Sequence, residues 1–292
     1  MLKSSIHSNI KNINKENMGR YLNPKSDLVF KKIFGEHPDV LKSFLNAFLP
    51  LAPDRQVEHI DYLPTESVPE IPTFKSTIVD VRCTDNLGRH FIVEMQLRWI
   101  NHFMKRMLFN SASAYIRQLN KGEAYDMLCP VYGLSIVDAV FSETQEWFHH
   151  YRLTHTKDNA KSLEDIQLIF LELPKFKPTT VAEKKLTVLW LRFLTEINED
   201  TLSVDKALLE VPEISKALEY TEIAAYTPGE LRAYDANWDA VSTEKTLLLG
   251  NFNAGVAKAQ YEIAKNSLAK GLDIQTVSDI TGLSIEILKK IQ

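Results

Sequence analysis

Cysteine is almost missing from this chain: Cys83 and Cys129 are the only two in 292 residues. That excludes a disulfide scaffold and fits a reducing compartment. No apolar run approaches the roughly 20 residues needed to span a bilayer, and the N-terminus lacks the apolar stretch of a signal peptide. No membrane partner is expected, and the cytoplasm is the expected location. There is no phosphate-binding Gly-x-x-x-x-Gly-Lys loop, no Gly-x-Gly-x-x-Gly and no Gly-x-Ser-x-Gly, so nucleotide-driven and acyl-transfer chemistry lack support. His149, His150 and His155 match no zinc spacing and have no cysteine nearby; they read as part of a surface strand.

What is present suits a folded protein. With 45% hydrophobic and 25% charged residues, the chain can bury a full core and is long enough for one large domain plus an appendage. The net charge of −4 is unevenly spread. Residues 1–32 carry +5, residues 98–122 carry another +5 with no acid, and the remainder sums to −14. A basic stretch inside an acidic protein can attract phosphate locally without binding nucleic acid indiscriminately.

The most informative segment lies just before that basic stretch. Residues 76–84 and 89–97 are rich in β-branched and apolar residues, and the polar link between them ends in Gly88, a hairpin signal. If Asn86, Leu87 and Gly88 form the turn, with Gly88 left-handed, Asp85 faces Arg89. Counting back from that pair sets Asp80 directly opposite Glu94. Opposed side chains stand roughly 5 Å apart, so two carboxylates share one face with Ile78, Arg82, Ile92 and Gln96. Val79, Val81, Phe91, Val93 and Met95 make the other face a core surface. Two like charges this close repel unless a hard cation takes their oxygens.

Asp80, followed by Glu94-Met95-Gln96, resembles the Asp…Glu-x-Lys signature of the PD-(D/E)xK nuclease superfamily, with Gln96 where the lysine usually stands. Four flanking segments add to the likeness: 23–35 (NPKSDLVFKKIFG), 78–82 (IVDVR), 88–96 (GRHFIVEMQ) and 115–118 (YIRQ). Together they resemble the bacterial recombination-promoting nuclease / putative transposase family. The resemblance is dense from about Arg20 to Asp138 and thinner beyond.

It implies an α/β fold with a restriction-endonuclease-like mixed sheet flanked by helices, and DNA cleavage dependent on Mg²⁺, with Mn²⁺ able to substitute. Asp80 and Glu94 would hold the metal with the main-chain carbonyl of Met95, and Gln96 would position the attacking water. A neutral amide orients water better than it stabilises developing negative charge. Asp27 is a candidate further ligand, although helix capping explains it equally well. Arg98, Lys105, Arg106, Arg117 and Gln118 are candidates for contacting DNA. The rival reading is a catalytically quiet DNA-binding or assembly module derived from a mobile element.

Residues 1–19 read as a disordered extension, with Met18 as an alternative start, and 20–178 as the nuclease-like core. Helices are expected from Ser26 or Asp27 and from Pro38, a strand over 57–63 and a loop over 64–72. A helix over 101–120 should present Phe103, Met107, Ser111 and Tyr115, widened by Met104, Leu108, Ala112 and Ile116, to the core. Arg106, Asn110, Ser113 and Arg117 would then face solvent. Strands are expected over 131–137 and 167–173, with the 147–153 segment between them. A helical region spans 179–241, with helices expected over 181–197, 204–218 and 229–238. The final section, 242–292, should hold a helix over 243–270 and then two short helices joined at Gly282. Their outline suits a helix-turn-helix. The second of these helices offers only Lys289 and Lys290, at its far end, which favours packing or homo-oligomer formation over base reading.

Overall fold

The computed structural model describes residues 21–63, 79–97, 102–178 and 185–291, without the side chains of Val79, Asp80 and Lys245. The expected N-terminal extension, the 64–72 loop and Arg98 lie outside these residues. The fold is α/β, built on a six-stranded mixed sheet with helices around it and a helical C-terminal region.

Helix α1 (Asp27–Glu36) starts where Ser26 accepts a hydrogen bond from the Val29 amide, and α2 (Pro38–Phe48) carries its proline in the first turn. Both bury one face: Phe34 meets Phe44 at 4.7 Å between ring centroids. Trp190, on α4 (Leu186–Glu196), closes on Phe44 at 5.4 Å.

The sheet contains β1 (Asp61–Tyr62), β2 (Val79–Thr84), β3 (His90–Gln96), β4 (Val131–Val137), β5 (Phe148–His155) and β6 (Asp158–Glu172) in the order β1-β2-β3-β4-β6-β5. The β2–β3 and β5–β6 pairs are antiparallel, while β3, β4 and β6 run parallel. Gly88 takes φ 71°, a conformation open to glycine at little cost. The register is the one that turn dictates, Thr84 to His90 through Asp80 to Glu94. Only two residues of the strand expected over 57–63 pair with the sheet. In the other direction, β6 begins at Asp158, because its polar first half extends as a ribbon with β5.

Alternation along β3 gives the sheet two different faces. Val81, Phe91, Val93 and Met95 are buried on one, where Gly35 of α1 lies against Val81. The other face carries Ile92, Glu94 and Gln96, and α3 (Phe103–Ile116) covers it. Ile92, Phe103, Met107, Leu168 and Phe170 form one core cluster there. Gly133 of β4 lets α3 come close: a Cβ at that position would meet Met107 Sδ at 2.8 Å and Ser111 Oγ at 2.9 Å.

Contacts divide the chain into Met1–Asn237 and Trp238–Gln292. The helix expected over 204–218 is two, α5 (Lys206–Leu209) and α6 (Pro212–Glu219). The two helices expected between 229 and 270 are one, α7 (Pro228–Ala269), since residues 239–242 contain no proline or glycine to interrupt the hydrogen bonding. After it come α8 (Ile274–Thr281), capped by Asp273, and α9 (Ile285–Leu288), joined through Gly282 at φ 71°. Ala264, Val277 and Leu288 form their small core. Among the described residues no helix is long and apolar enough to cross a membrane.

Candidate active site

Parallel strands β3, β4 and β6 end together at Gln96, Val137 and Glu172, the edge at which open α/β sheets bind ligands. Asp80 on β2 and Glu94 on β3 are partners in the ladder beside that edge. Glu94 is fully buried, at 0% exposure, so its charge must be met by the protein or by a bound cation. Helix α3 contributes two donors. Asn110 Nδ2 donates to Glu94 Oε1 at 3.2 Å, and Arg106 Nη2 approaches Glu94 Oε2 at 3.4 Å. The same Nη2 donates to Gln96 Oε1 at 2.9 Å.

Across the ladder on β4, Ser135 stands opposite Glu94. Its hydroxyl is buried and has no hydrogen-bond partner among the described residues. A buried orphan hydroxyl beside the buried Glu94 carboxylate, with Asp80 the register partner of Glu94, offers oxygen donors of the kind a hard divalent cation takes. Among the described residues no group of three or more His, Cys, Asp or Glu side chains is arranged to hold a metal. Any such site therefore draws on Asp80, on main-chain oxygen or on Ser135.

Helix α3 corrects the expected division of its faces. Asn110 is buried and Arg106 is only 23% exposed, whereas Leu108 and Ile116, assigned to the core side, are 50% and 72% exposed. Arg106 also lies over the Phe103 ring at 4.9 Å. Its guanidinium thus belongs to the hydrogen-bonded group around Glu94 and not to the solvated face. Arg117 and Lys105 do face solvent. Arg117 lines a pocket of about 110 Å³ together with Arg82, His90, Ile92 and Ser113, next to the site on the same sheet face. Burial holds His90 below its ordinary pKa against the upward pull of Asp85.

Other candidates serve the frame. Gln118 uses both ends of its amide on the main chain of Cys129, donating at 2.9 Å and accepting at 2.7 Å, a clamp on the loop before β4. Tyr115 donates to Asp165 at 2.8 Å. Asp27, the candidate further ligand, pairs with Lys31 at 3.2 Å. The Met95 side chain is buried on the α1 side of the sheet, leaving its carbonyl as the expected donor. His149 and His150 bond to Glu172 and Gln167.

Glu172, which no motif in the sequence ties to this edge of the sheet, ends β6 here. It is fully buried, and it accepts from the Phe141 amide at 2.8 Å, from His149 and from Lys175. Burial alone would raise its pKa, but these partners outweigh that and hold the carboxyl below its ordinary value. The signal available in the sequence was an acid ending an apolar strand, three residues before a lysine.

Among protein-family models, one described as PD-(D/E)XK nuclease family transposase matches residues 24–248. A second, described as the C-terminal HTH domain of the Rpn/YhgA-like nuclease family, matches residues 257–292, a span that includes α8 and α9. No curated protein and no solved structure matches the chain.

Proposed function

The chain belongs to the PD-(D/E)XK nuclease family transposases, and on that premise we propose that it hydrolyses DNA phosphodiesters with a divalent cation at Asp80 and Glu94. The observation that carries this reading is the pairing of Asp80 with a fully buried Glu94 at the carboxyl edge of the parallel strands. The Met95 carbonyl completes the proposed donor set. Mg²⁺ is the expected ion, with Mn²⁺ able to substitute; when bound it would neutralise the scissile phosphate and lower the pKa of a bound water.

The remaining chemistry belongs to the side chains. Asn110 and Arg106 hold Glu94 in one orientation from above, so the carboxylate is preorganised on a strand and a helix rather than on a loop. Because Gln96 Oε1 accepts from Arg106, the group of its amide left to bind a ligand, among the described residues, is the NH₂. That group donates, and it suits a water or phosphate oxygen better than it suits an outgoing proton. Arg117, with Arg82 beside it in the pocket, is placed to receive a neighbouring phosphate of the strand.

The match of the last residues to an HTH domain supports DNA contact by the C-terminal helices as well. Leu248, Phe252 and Ile263, exposed on α7, support the expected homo-oligomer. The test is cleavage of supercoiled plasmid by the full chain with and without Mg²⁺. A quiet module would bind the plasmid and leave it uncut in both.

A further inference from the structure

We propose that Arg106 supplies, from α3, the positive charge that the lysine of the superfamily signature supplies from the position held here by Gln96. This rests on the nuclease reading of the site and concerns which residue stabilises the charge developing on the phosphate.

Three observations converge on it. The guanidinium reaches the tip of the Gln96 side chain, with Nη2 at 2.9 Å from Oε1 and 3.4 Å from Glu94 Oε2, so a cation stands where a lysine at position 96 would end. The side chain is largely covered and packed over Phe103 at 4.9 Å, which fixes it in advance, as charge stabilisation requires. Its Nε is buried and has no partner among the described residues. A surface phosphate clamp would not hold its guanidinium in this way, and the neighbouring Lys105 is exposed.

Arginine suits the task because it keeps its charge at every working pH and carries five donors, so it can hold Gln96 and still offer N–H groups to a phosphate oxygen. The same placement has a cost. Arg106 shares Glu94 with any cation bound there, so like-charge repulsion weakens metal binding. Rate and metal affinity should therefore move in opposite directions when Arg106 is removed. A residue that merely holds Glu94 in place would move both down together.

The experiment compares the full chain with Arg106→Gln, Arg106→Lys, Gln96→Lys and the double variant Arg106→Gln/Gln96→Lys. Each is assayed by single-turnover plasmid cleavage at saturating Mn²⁺ and by calorimetric titration with Mn²⁺ alone, and its melting temperature is recorded. Arg106→Gln should cleave about a hundredfold more slowly while binding Mn²⁺ severalfold more tightly. Arg106→Lys should keep most of the rate, and the double variant should regain at least about tenfold of the loss. Full-speed cleavage by Arg106→Gln, slowing accompanied by weaker Mn²⁺ binding, or a double variant no faster than Arg106→Gln overturns the proposal. Should Arg106→Gln fail to fold, a hundredfold loss in the folded Arg106→Lys would overturn it. Absence of cleavage by the parent would instead remove the nuclease reading on which it rests.

Discussion

Arg89 and Asp85 form a buried ion pair across the base of the β2–β3 turn, with Nε at 2.7 Å from Oδ2. Asp85 Oδ1 also accepts from the amides of Leu87 and Arg89, and Arg89 Nη1 donates to the Arg55 carbonyl at 2.7 Å. The register that aligns Asp80 with Glu94 is thus locked at the turn.

Arg89→Leu leaves the Asp85 charge buried without its cation, and the expected loss is about 3–5 kcal/mol. A double replacement by apolar residues should cost much less than the sum of the single changes. Urea denaturation of the four proteins checks this; additive losses would contradict it.

Glu172 should make stability depend on acid. Its folded pKa is depressed, so its contribution is present above the ordinary carboxyl range and is lost as pH falls through that range to the folded value. Glu172→Gln should cost about 1–3 kcal/mol at pH 7, and its deficit against the parent should shrink in acid. The check is denaturant unfolding at pH 7 and at successively lower pH, where a constant deficit would count against this account.

Gly133→Ala should push α3 off the sheet, because the new methyl would meet Met107 and Ser111 inside 3 Å. A loss of about 1–3 kcal/mol is expected, together with slower cleavage as Arg106 and Asn110 move away from Glu94. Thermal unfolding and single-turnover cleavage report the two effects; unchanged values in both would show that the helix does not depend on that close approach.

Arg117 and Arg106, both read from sequence as candidates for contacting DNA, should separate. Arg117→Ala should reduce the salt slope of DNA binding by about one. Arg106→Gln should change it little. Equal changes in the slopes would return both residues to one role.

The hairpin was legible because turn chemistry and alternation agree: one glycine at the end of a polar link sets the whole register. The strand over 131–137 and the first two helices were legible from apolar runs and caps. Helix α3 was not. Periodicity separates polar from apolar faces, yet a polar face buried over a carboxylate site looks the same as a solvated one, so Arg106 and Asn110 were placed in water. The start of β6 was hidden because its first half is a polar ribbon paired only with β5. Glu172 was passed over because its partners, Phe141, His149 and Lys175, come from separate parts of the chain.

Asp80 and Glu94 are proposed to form one metal-dependent site for cutting DNA. The most direct test of that proposal is supercoiled plasmid incubated with the parent, Asp80→Ala and Glu94→Ala, each in Mg²⁺ and in chelator, with folding followed by circular dichroism. The parent should nick or cut in Mg²⁺ alone, and neither folded variant should. Cleavage in chelator, or by either variant at the parent's rate, would contradict it.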